Sequence, residues 1–244
     1  VTVNKNGYVS AIVTGTTYKS VIITYDEKGN ELFKTYLSKT IAVDACVSPD
    51  NAEFAYAEVN NSGTTIQSNI KIISIKDVKE KNTEPKYEYN AVQGSLILRI
   101  KYQDKSRLIC MYDDSIHKFE TGVDVELTKL NEDNPKITFA DIELSNYVFR
   151  TYEKSTSLFS ADTIIEMQNT SNGKENVYTI EEVAKSVVSN NNVIAVNLGN
   201  EVYFVETNAW LIKRYSSSQV IEKIILGDGV AGIIYSDKIE IVNL

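Results

Sequence analysis

The sequence predicts an all-β protein built from repeated sheets, and three observations support that prediction. Short segments rich in β-branched and aromatic residues follow one another along all 244 residues, whereas helix-forming text is nearly absent. Asparagine is the commonest turn-forming residue between these segments: the chain has 22 asparagines and 11 glycines. Asparagine tolerates the left-handed backbone that tight turns need. The segments also recur at similar spacings, which indicates copies of one structural unit.

Taken in chain order, each part of the sequence contributes several strand segments. Residues 1–92 contain YVSAIVTG, SVIITYD, AVDACVS, EFAYAEV and NIKIISI. Residues 93–182 contain LILRIKY, LICMYDD, ITFADIEL, YVFRTYE and DTIIEMQ. Residues 183–244 contain NVIAVNL, EVYFVET, VIEKIIL and KIEIVNL. The segment TIEEVAKSVV at 179–188 has helix-forming residues at its centre, but it aligns with the strand beginnings of other repeats, so we assign it to strand.

Five of these segments superimpose, and the superposition defines the repeat. They are VDACVSPDNAEFAYAE, LRIKYQDKSRLICMYD, ADIELSNYVFRTYE, AKSVVSNNNVIAVN and EKIILGDGVAGIIYSD. The charged residues that fall at one register are Asp44, Arg99, Asp141, Lys185 and Lys223. Their spacings of 55, 42, 44 and 38 residues bracket the roughly 40 to 45 residues of a four-stranded propeller blade. The charged insertion KDVKEKNTEPK at 76–86 accounts for the longest spacing.

These repeats predict a β-propeller of about six four-stranded blades, because each sheet exposes two apolar faces that only neighbouring sheets can cover. We expect a single domain over residues 1–244, with its last blade limited to three strands. The blades are predicted at about 1–39, 40–92, 93–134, 135–182, 183–217 and 218–244. We expect either the segment VTVNK or residues upstream of Val1 to supply the missing strand, and upstream residues would allow a seventh blade.

Composition excludes several classes of partner. The chain carries 33 acidic and 25 basic side chains, and its net charge of -8 repels the phosphate backbone of nucleic acids. No apolar run reaches the roughly 18 residues that a membrane-spanning helix needs. The chain opens on Val1 without a signal-peptide pattern, which suggests a segment upstream.

Two hairpin segments carry a resemblance to known repeats. YDEKGNELF resembles the outer hairpin of PQQ-type and WD40-like blades, and VSPDNAEFAYAEV resembles their inner SPDG hairpin. More narrowly, the order of elements is similar to an uncharacterised family of Firmicutes propeller proteins that carry an amino-terminal membrane anchor. That resemblance implies an extracytoplasmic domain at the cell surface, attached to the membrane only through an anchor upstream. It implies no activity.

The residue types that carry chemistry are few. His117 is the single histidine, and we favour a surface or turn-supporting role for it over that of a general base. Cys46 and Cys110 lie 64 positions apart, so neither a CxxC redox pair nor a zinc site can be built from them. Buried free thiols are the favoured interpretation, and a disulfide is the alternative. Nucleophile-elbow, phosphate-binding and calcium-loop motifs are missing from the sequence, so we predict no catalytic residues, cofactor or metal.

The charged residues at one register are the candidate site. First strands of blades surround a central channel, so Asp44, Arg99, Asp141, Lys185 and Lys223 are predicted to form a polar ring at its mouth. A small polar ligand or an ion could bind there. The alternative, which we favour, is a self-neutralising ring or a set of solvent-facing strand ends.

The sequence therefore predicts a non-enzymatic, WD40-like propeller that binds a protein or a cell-envelope component. The alternative is a propeller enzyme that acts on glycans or phosphate esters through paired carboxylates such as Asp44 and Asp141. Trp210, the single tryptophan, is expected to pack against an adjacent blade rather than to stack on a sugar. The repeated tyrosines are expected to cover the core at strand ends.

Overall fold

A computed structural model describes residues 1–79, 84–90, 94–131, 135–158 and 160–244. These residues form 23 β-strands in six antiparallel sheets, five of four strands and one of three. In every sheet the strands follow chain order, so each is a meander of hairpins. The all-β prediction is confirmed, and the three-stranded sheet is the last one, as the repeats indicated.

The first compact unit, Val1–Lys129, holds three sheets. Sheet 1 consists of β1 (Thr2–Val3), β2 (Val9–Val13), β3 (Ser20–Tyr25) and β4 (Glu31–Leu37). Sheet 2 consists of β5 (Ile41–Val47), β6 (Glu53–Asn60), β7 (Gln67–Ser74) and β8 (Tyr87–Asn90), with the short helix α1 (Ile75–Lys79) between β7 and β8. Sheet 3 consists of β9 (Ile97–Tyr102), β10 (Arg107–Tyr112), β11 (Ser115–Glu120) and β12 (Val123–Lys129).

The second compact unit, Leu130–Leu244, also holds three sheets. Sheet 4 consists of β13 (Ile137–Asp141), β14 (Tyr147–Ser155), β15 (Ala161–Asn169) and β16 (Glu175–Ile180). Sheet 5 consists of β17 (Ser186–Asn190), β18 (Val193–Asn197), β19 (Glu201–Glu206) and β20 (Leu211–Ser216). Sheet 6 consists of β21 (Lys223–Leu226), β22 (Val230–Ile234) and β23 (Ile239–Asn243). Each predicted blade range contains one sheet, while the assignment to a single domain stays a prediction.

Within each unit, consecutive sheets bury apolar faces against one another. In the first unit, Phe33 of sheet 1 packs with Phe54 of sheet 2, and Ile70 of sheet 2 shares a core with Leu108 and Phe119 of sheet 3. The second unit has the same arrangement, with one core between sheets 4 and 5 and another between sheets 5 and 6. Burying a side chain of this size contributes about 1.5 to 3 kcal/mol. These faces supply most of the stability of the sheets.

Two segments differ from the sequence prediction. The insertion at 76–86 does not begin as a loop, because α1 adds one helical turn and buries Ile75 and Val78 in the core of sheets 1 and 2. Residues 80–83 of that insertion lie outside the described residues. The segment at 179–188 contains the end of β16 and the beginning of β17, but residues 181–185 between them are not in a strand.

Left-handed backbone occurs at turns, and asparagine supplies part of it. Asn51 and Asn191 have φ angles of 60° and 52°. The two-residue turn between β11 and β12 has positive φ at both Thr121 (51°) and Gly122 (83°), the pattern of a type I′ hairpin. Among the described residues, no helix has the length and apolarity needed to cross a bilayer.

Candidate functional site

A polar cleft of about 120 Å³ lies in the first unit, between the last strand of sheet 2 and one face of sheet 3. Its walls are Asn90, Ser95, Tyr112, Asp114, Ser115, His117, Asp124 and Glu126. Most of these side chains are carboxylates, hydroxyls or amides. The cleft therefore offers hydrogen-bonding groups beside the apolar core that sheet 3 shares with sheet 2.

Strand alternation brings the central residues of the cleft together. Ser115 and His117 are two positions apart on β11, so both side chains point to the same face of sheet 3. His117 is paired with Glu126 on β12, and Asp124 is one alternation further along that strand. The two-residue turn pairs Glu120 with Val123, and this register continues unbroken to His117. It places the Asp124 carboxylate on the same face of the sheet as the imidazole.

The side chains form a continuous hydrogen-bonded chain. His117 Nδ1 lies 2.7 Å from Asp124 Oδ1, and His117 Nε2 lies 3.1 Å from Ser115 Oγ. The Ser115 hydroxyl also donates to Asp114 Oδ1 at 2.8 Å, and the Ser95 hydroxyl donates to Asp114 Oδ2 at 3.2 Å. His117 therefore lies half-buried on β11 with both ring nitrogens engaged.

Aromatic rings fix the orientation of the imidazole. The Tyr112 ring meets His117 edge-on with centroids 4.9 Å apart, and the Phe119 ring is stacked at 6.3 Å. Burial raises the pKa of the Tyr112 phenol, and the neighbouring Cys110 adds to this shift, so the hydroxyl stays protonated. The imidazole is thus held by two rings and two hydrogen bonds, which leaves it little rotational freedom.

The five residues of the predicted channel-mouth ring occupy different places in the first strands of their sheets. Asp44 and Arg99 lie within β5 and β9, Asp141 ends β13, and Lys223 begins β21, whereas Lys185 precedes β17. The three cations are exposed and the two carboxylates are half-buried. The ring itself stays a prediction, because the residues belong to two units that are described separately.

Both carboxylates of the predicted ring connect the first strands of consecutive sheets. Asp44 Oδ2 accepts a hydrogen bond from the Ile100 main-chain N–H on β9 at 2.9 Å, and its Oδ1 accepts one from Ala45 N–H. In the second unit, Asp141 Oδ2 accepts from the Ser189 hydroxyl on β17 at 3.0 Å, and its Oδ1 accepts from Ile142 N–H. Each aspartate therefore joins the first strands of two consecutive sheets, Asp44 through a main-chain N–H and Asp141 through a serine hydroxyl, and we call each of them a carboxylate latch.

The environment of Asp44 contains opposing effects. Burial raises the pKa of its carboxyl group above the usual value, while the bonds from Ile100 and Ala45 and the nearby Arg99 guanidinium act in the opposite direction. Desolvation is the larger effect. Lys185 has a different local role, since its side chain lies over Gly199. The φ of 112° at Gly199 is a conformation that strains any other residue at that turn.

The two cysteines are buried and free, and both belong to the core between sheets 2 and 3. Burial raises the pKa of both thiols, so neither is a reactive thiolate near neutral pH. Among the described residues, no three histidine, cysteine or carboxylate side chains are placed to hold a metal ion.

Trp210 is not packed against an adjacent blade, contrary to expectation, since 70% of its surface is exposed. It lies at the tip of the β19–β20 hairpin, where Ala209 has a φ of 66°. Glu206 N–H donates to Trp210 C=O at 2.8 Å, and Trp210 N–H donates to Asn208 Oδ1 at 2.9 Å. The hairpin therefore presents the indole to solvent from a backbone that is fixed by hydrogen bonds.

The tyrosines do not form one binding face. Four tyrosines recur at the ends of second strands. Tyr56, Tyr112 and Tyr235 are buried in the cores, whereas Tyr152 is half-buried and its hydroxyl donates to Glu166 Oε1 at 3.0 Å. The exposed pair is Tyr18 and Tyr36, with ring centroids 4.8 Å apart. This distribution favours the expectation that the repeated tyrosines cover the core.

The comparisons with known proteins identify the family and the fold. A profile described as "Family of unknown function (DUF5711)" matches residues 1–244. The chain belongs to this family. No curated protein matches the sequence.

Solved structures of propellers share the fold at low sequence identity. Hsv2 from Kluyveromyces lactis is 11% identical, with a TM-score of 0.56, and the match covers 99% of this chain and 72% of that one. The β-propeller domain of the Trilobed protease from Pyrococcus furiosus is 11% identical, with a TM-score of 0.57 and coverage of 99% and 83%. A prolyl endopeptidase is 14% identical, with a TM-score of 0.60 and coverage of 96% and 38%. The fold class is therefore a β-propeller, as the repeats predicted.

Proposed function

We propose that this DUF5711 protein is a WD40-like propeller that serves as a binding scaffold for a protein or a cell-envelope component. The exposed Trp210 on its fixed hairpin is the observation that carries the proposal. The resemblance to membrane-anchored Firmicutes propellers supports an extracytoplasmic location at the cell surface, with an anchor upstream as the connection to the membrane.

Trp210 has the properties of a binding anchor. Tryptophan is among the residues that contribute most to protein interfaces, since it buries a large apolar area and offers one N–H donor. The turn that carries it is already ordered, and the Asn176 side chain on β16 donates to Thr207 C=O at 2.7 Å, which ties the hairpin to sheet 4. Little conformational entropy would be lost when a partner covers the indole.

An enzyme that uses Asp44 and Asp141 as paired carboxylates has less support. Each carboxylate already accepts two hydrogen bonds from its own unit, as its role as a latch requires. A general acid or a nucleophile needs an oxygen that is free to meet a substrate. A binding scaffold needs only exposed side chains such as that of Trp210, which remain available to a partner.

The proposal is tested by capture of a partner from cell-envelope extracts, with wild-type protein, Trp210→Ala and Leu158→Ala compared. Leu158 is the matched control, because it is an exposed apolar side chain in the same unit. We expect a partner that binds wild type and Leu158→Ala alike and binds Trp210→Ala roughly 30-fold more weakly, the loss expected for a central interface residue. With a purified partner, the fluorescence of this single tryptophan should shift to shorter wavelength on binding.

Two results would contradict the proposal. One is the capture of no partner by wild type, and the other is equal binding by Trp210→Ala. The location is tested separately by labelling intact cells with a membrane-impermeant amine reagent, which should reach the exposed lysines of an extracytoplasmic domain.

A further inference from the structure

We propose that Ser115 is a nucleophile activated by His117 and Asp124, and that the cleft of sheet 3 accepts a short-chain carboxylic ester that is uncharged or cationic. This inference goes beyond the binding role, and it uses a different part of the molecule from Trp210.

The distances meet the requirements for an activated hydroxyl. A nucleophile needs a base within hydrogen-bond reach, about 2.6 to 3.2 Å, and that base needs a third group to orient it. Ser115 Oγ lies 3.1 Å from His117 Nε2, and Asp124 Oδ1 lies 2.7 Å from Nδ1. Because an ionised carboxylate can only accept, the neutral imidazole carries its hydrogen on Nδ1 and presents the Nε2 lone pair to the hydroxyl.

The surroundings hold this geometry in place before a substrate arrives. Ser115 is only 6% exposed, and the side chain of His117 is 19% exposed, yet both line the cleft. The contacts of the imidazole with Tyr112 and Phe119 prevent it from turning away. Preorganisation of this kind is what general-base catalysis requires of a histidine.

Asp114 sets a constraint on the mechanism. Its Oδ1 accepts the Ser115 hydroxyl hydrogen at 2.8 Å, so the proton has a carboxylate on one side and the imidazole on the other. The Ser95 hydroxyl donates to the second oxygen of Asp114 and holds that carboxylate in position. The serine hydroxyl has a single hydrogen, so it turns from Asp114 Oδ1 to His117 Nε2 before the oxygen attacks, and His117 takes the proton.

The reaction is a balanced acyl transfer. Ser115 Oγ forms a bond to the carbonyl carbon of the ester, and its proton passes to His117 Nε2. The bond from that carbon to the alcohol oxygen breaks, and the leaving alcohol takes the proton from Nε2. Water then attacks the acyl carbon and gives a proton to His117 Nε2. The bond from that carbon to Ser115 Oγ breaks, the proton passes from Nε2 to Oγ, and the carboxylic acid leaves.

The walls of the cleft set the class of substrate. A volume of about 120 Å³ restricts the cleft to small groups such as acetyl or propionyl. Asp114, Asp124 and Glu126 line the space, so an anionic ester is repelled while a neutral or cationic one is not.

The experiment treats the whole chain with a tagged fluorophosphonate, which reacts with activated serines, and maps the adduct by peptide mass spectrometry. Hydrolysis of p-nitrophenyl acetate is measured in parallel. The variants are Ser115→Ala, His117→Gln and Asp124→Asn, with Ser62→Ala as an exposed serine control from the same unit. Circular dichroism and the melting temperature verify that each variant is folded.

We expect the adduct on Ser115 in wild type and in Ser62→Ala. Labelling and hydrolysis should be lost in Ser115→Ala and should fall at least 100-fold in His117→Gln, the lower range for loss of a general base, and at least 10-fold in Asp124→Asn. Labelling of wild type at a residue other than Ser115 overturns the proposal, and this outcome does not depend on the stability of any variant. Hydrolysis by wild type that is no faster than hydrolysis by a folded Ser115→Ala also overturns it. Retention of the wild-type rate by a folded His117→Gln also overturns it.

Discussion

Replacing Asp44 tests whether the carboxylate latch holds two sheets together. Asp44→Ala removes the acceptor of two main-chain N–H groups, those of Ile100 on β9 and Ala45 on β5. Ile100 is buried, so water does not readily replace the lost acceptor. Leaving a buried donor unsatisfied costs about 1 to 3 kcal/mol, and we expect Asp44→Ala to lower the free energy of unfolding by about 2 to 4 kcal/mol.

The variant Asp44→Asn separates hydrogen bonding from charge. Its amide oxygen can still accept one of the two N–H groups, so we expect a loss of about 1 kcal/mol. Because burial raises the pKa of the Asp44 carboxyl group in the folded state, the folded protein binds this proton more tightly than the unfolded chain does. The stability that this group contributes is fully present below the unfolded pKa and decreases as pH rises through the folded pKa. The advantage of wild type over Asp44→Asn should therefore be largest near pH 3.5 and smaller near pH 7, with roughly pH 4 as the unfolded reference.

Urea unfolding followed by far-ultraviolet circular dichroism gives the free energies, and hydrogen exchange gives the local effect. Exchange of the Ile100 amide should accelerate at least 10-fold in Asp44→Ala, because its acceptor has been removed. Glu181→Ala, at an exposed carboxylate, is the control and should behave like wild type. An unchanged Ile100 exchange rate in Asp44→Ala, together with a stability within about 0.3 kcal/mol of wild type, would refute the assignment of Asp44 as a latch.

Three further predictions follow from the described contacts. Lys71→Met leaves the buried Glu58 carboxylate without its ion-pair partner at 2.7 Å, and chemical denaturation should show an unfolding free energy lower by about 3 kcal/mol. An unchanged denaturation midpoint would mean that Glu58 is solvated without Lys71. Thr121→Asn places a residue that tolerates positive φ before the turn glycine, and it should raise the unfolding free energy by about 0.5 to 1 kcal/mol; a decrease would contradict the strain argument. Cys46 and Cys110 should resist alkylation by iodoacetamide in the native protein near neutral pH and react after unfolding, and rapid labelling of either one in folded protein would contradict their burial.

The strands were readable from the sequence because each is a short run of β-branched and aromatic residues bounded by turn residues. The short helix α1 was not predictable from the sequence, because five residues show too little helical periodicity to be distinguished from the strands around them. Its burial of Ile75 and Val78, three positions apart, was the only signal present. The prediction that Trp210 is packed was wrong for a related reason. The chain turns at Ala209, which has a left-handed backbone conformation, and alanine is not a residue that predicts such a turn.

The cleft of sheet 3 was only half predictable. The two-residue spacing of Ser115 and His117 on a strand already places both on one face. Their acidic partner could not be assigned, because Asp124 and Glu126 both share the face of His117 and alternation alone does not show which of them reaches the imidazole. For Asp44 and Asp141, the sequence register indicated that the positions correspond. It could not show that their oxygens are occupied by groups on the next sheet.

The carboxylate of Asp44 accepts a hydrogen bond from the main chain of sheet 3, at Ile100. The bond does not depend on which side chain residue 100 carries. Every residue except proline offers a main-chain N–H. A substitution in one repeat therefore does not require a matching substitution in the other. The residue at position 100 can therefore change during evolution while the hydrogen bond between sheets 2 and 3 is kept. This gives a physical reason why two consecutive sheets can carry Asp44 and Arg99 at matching positions and still pack together.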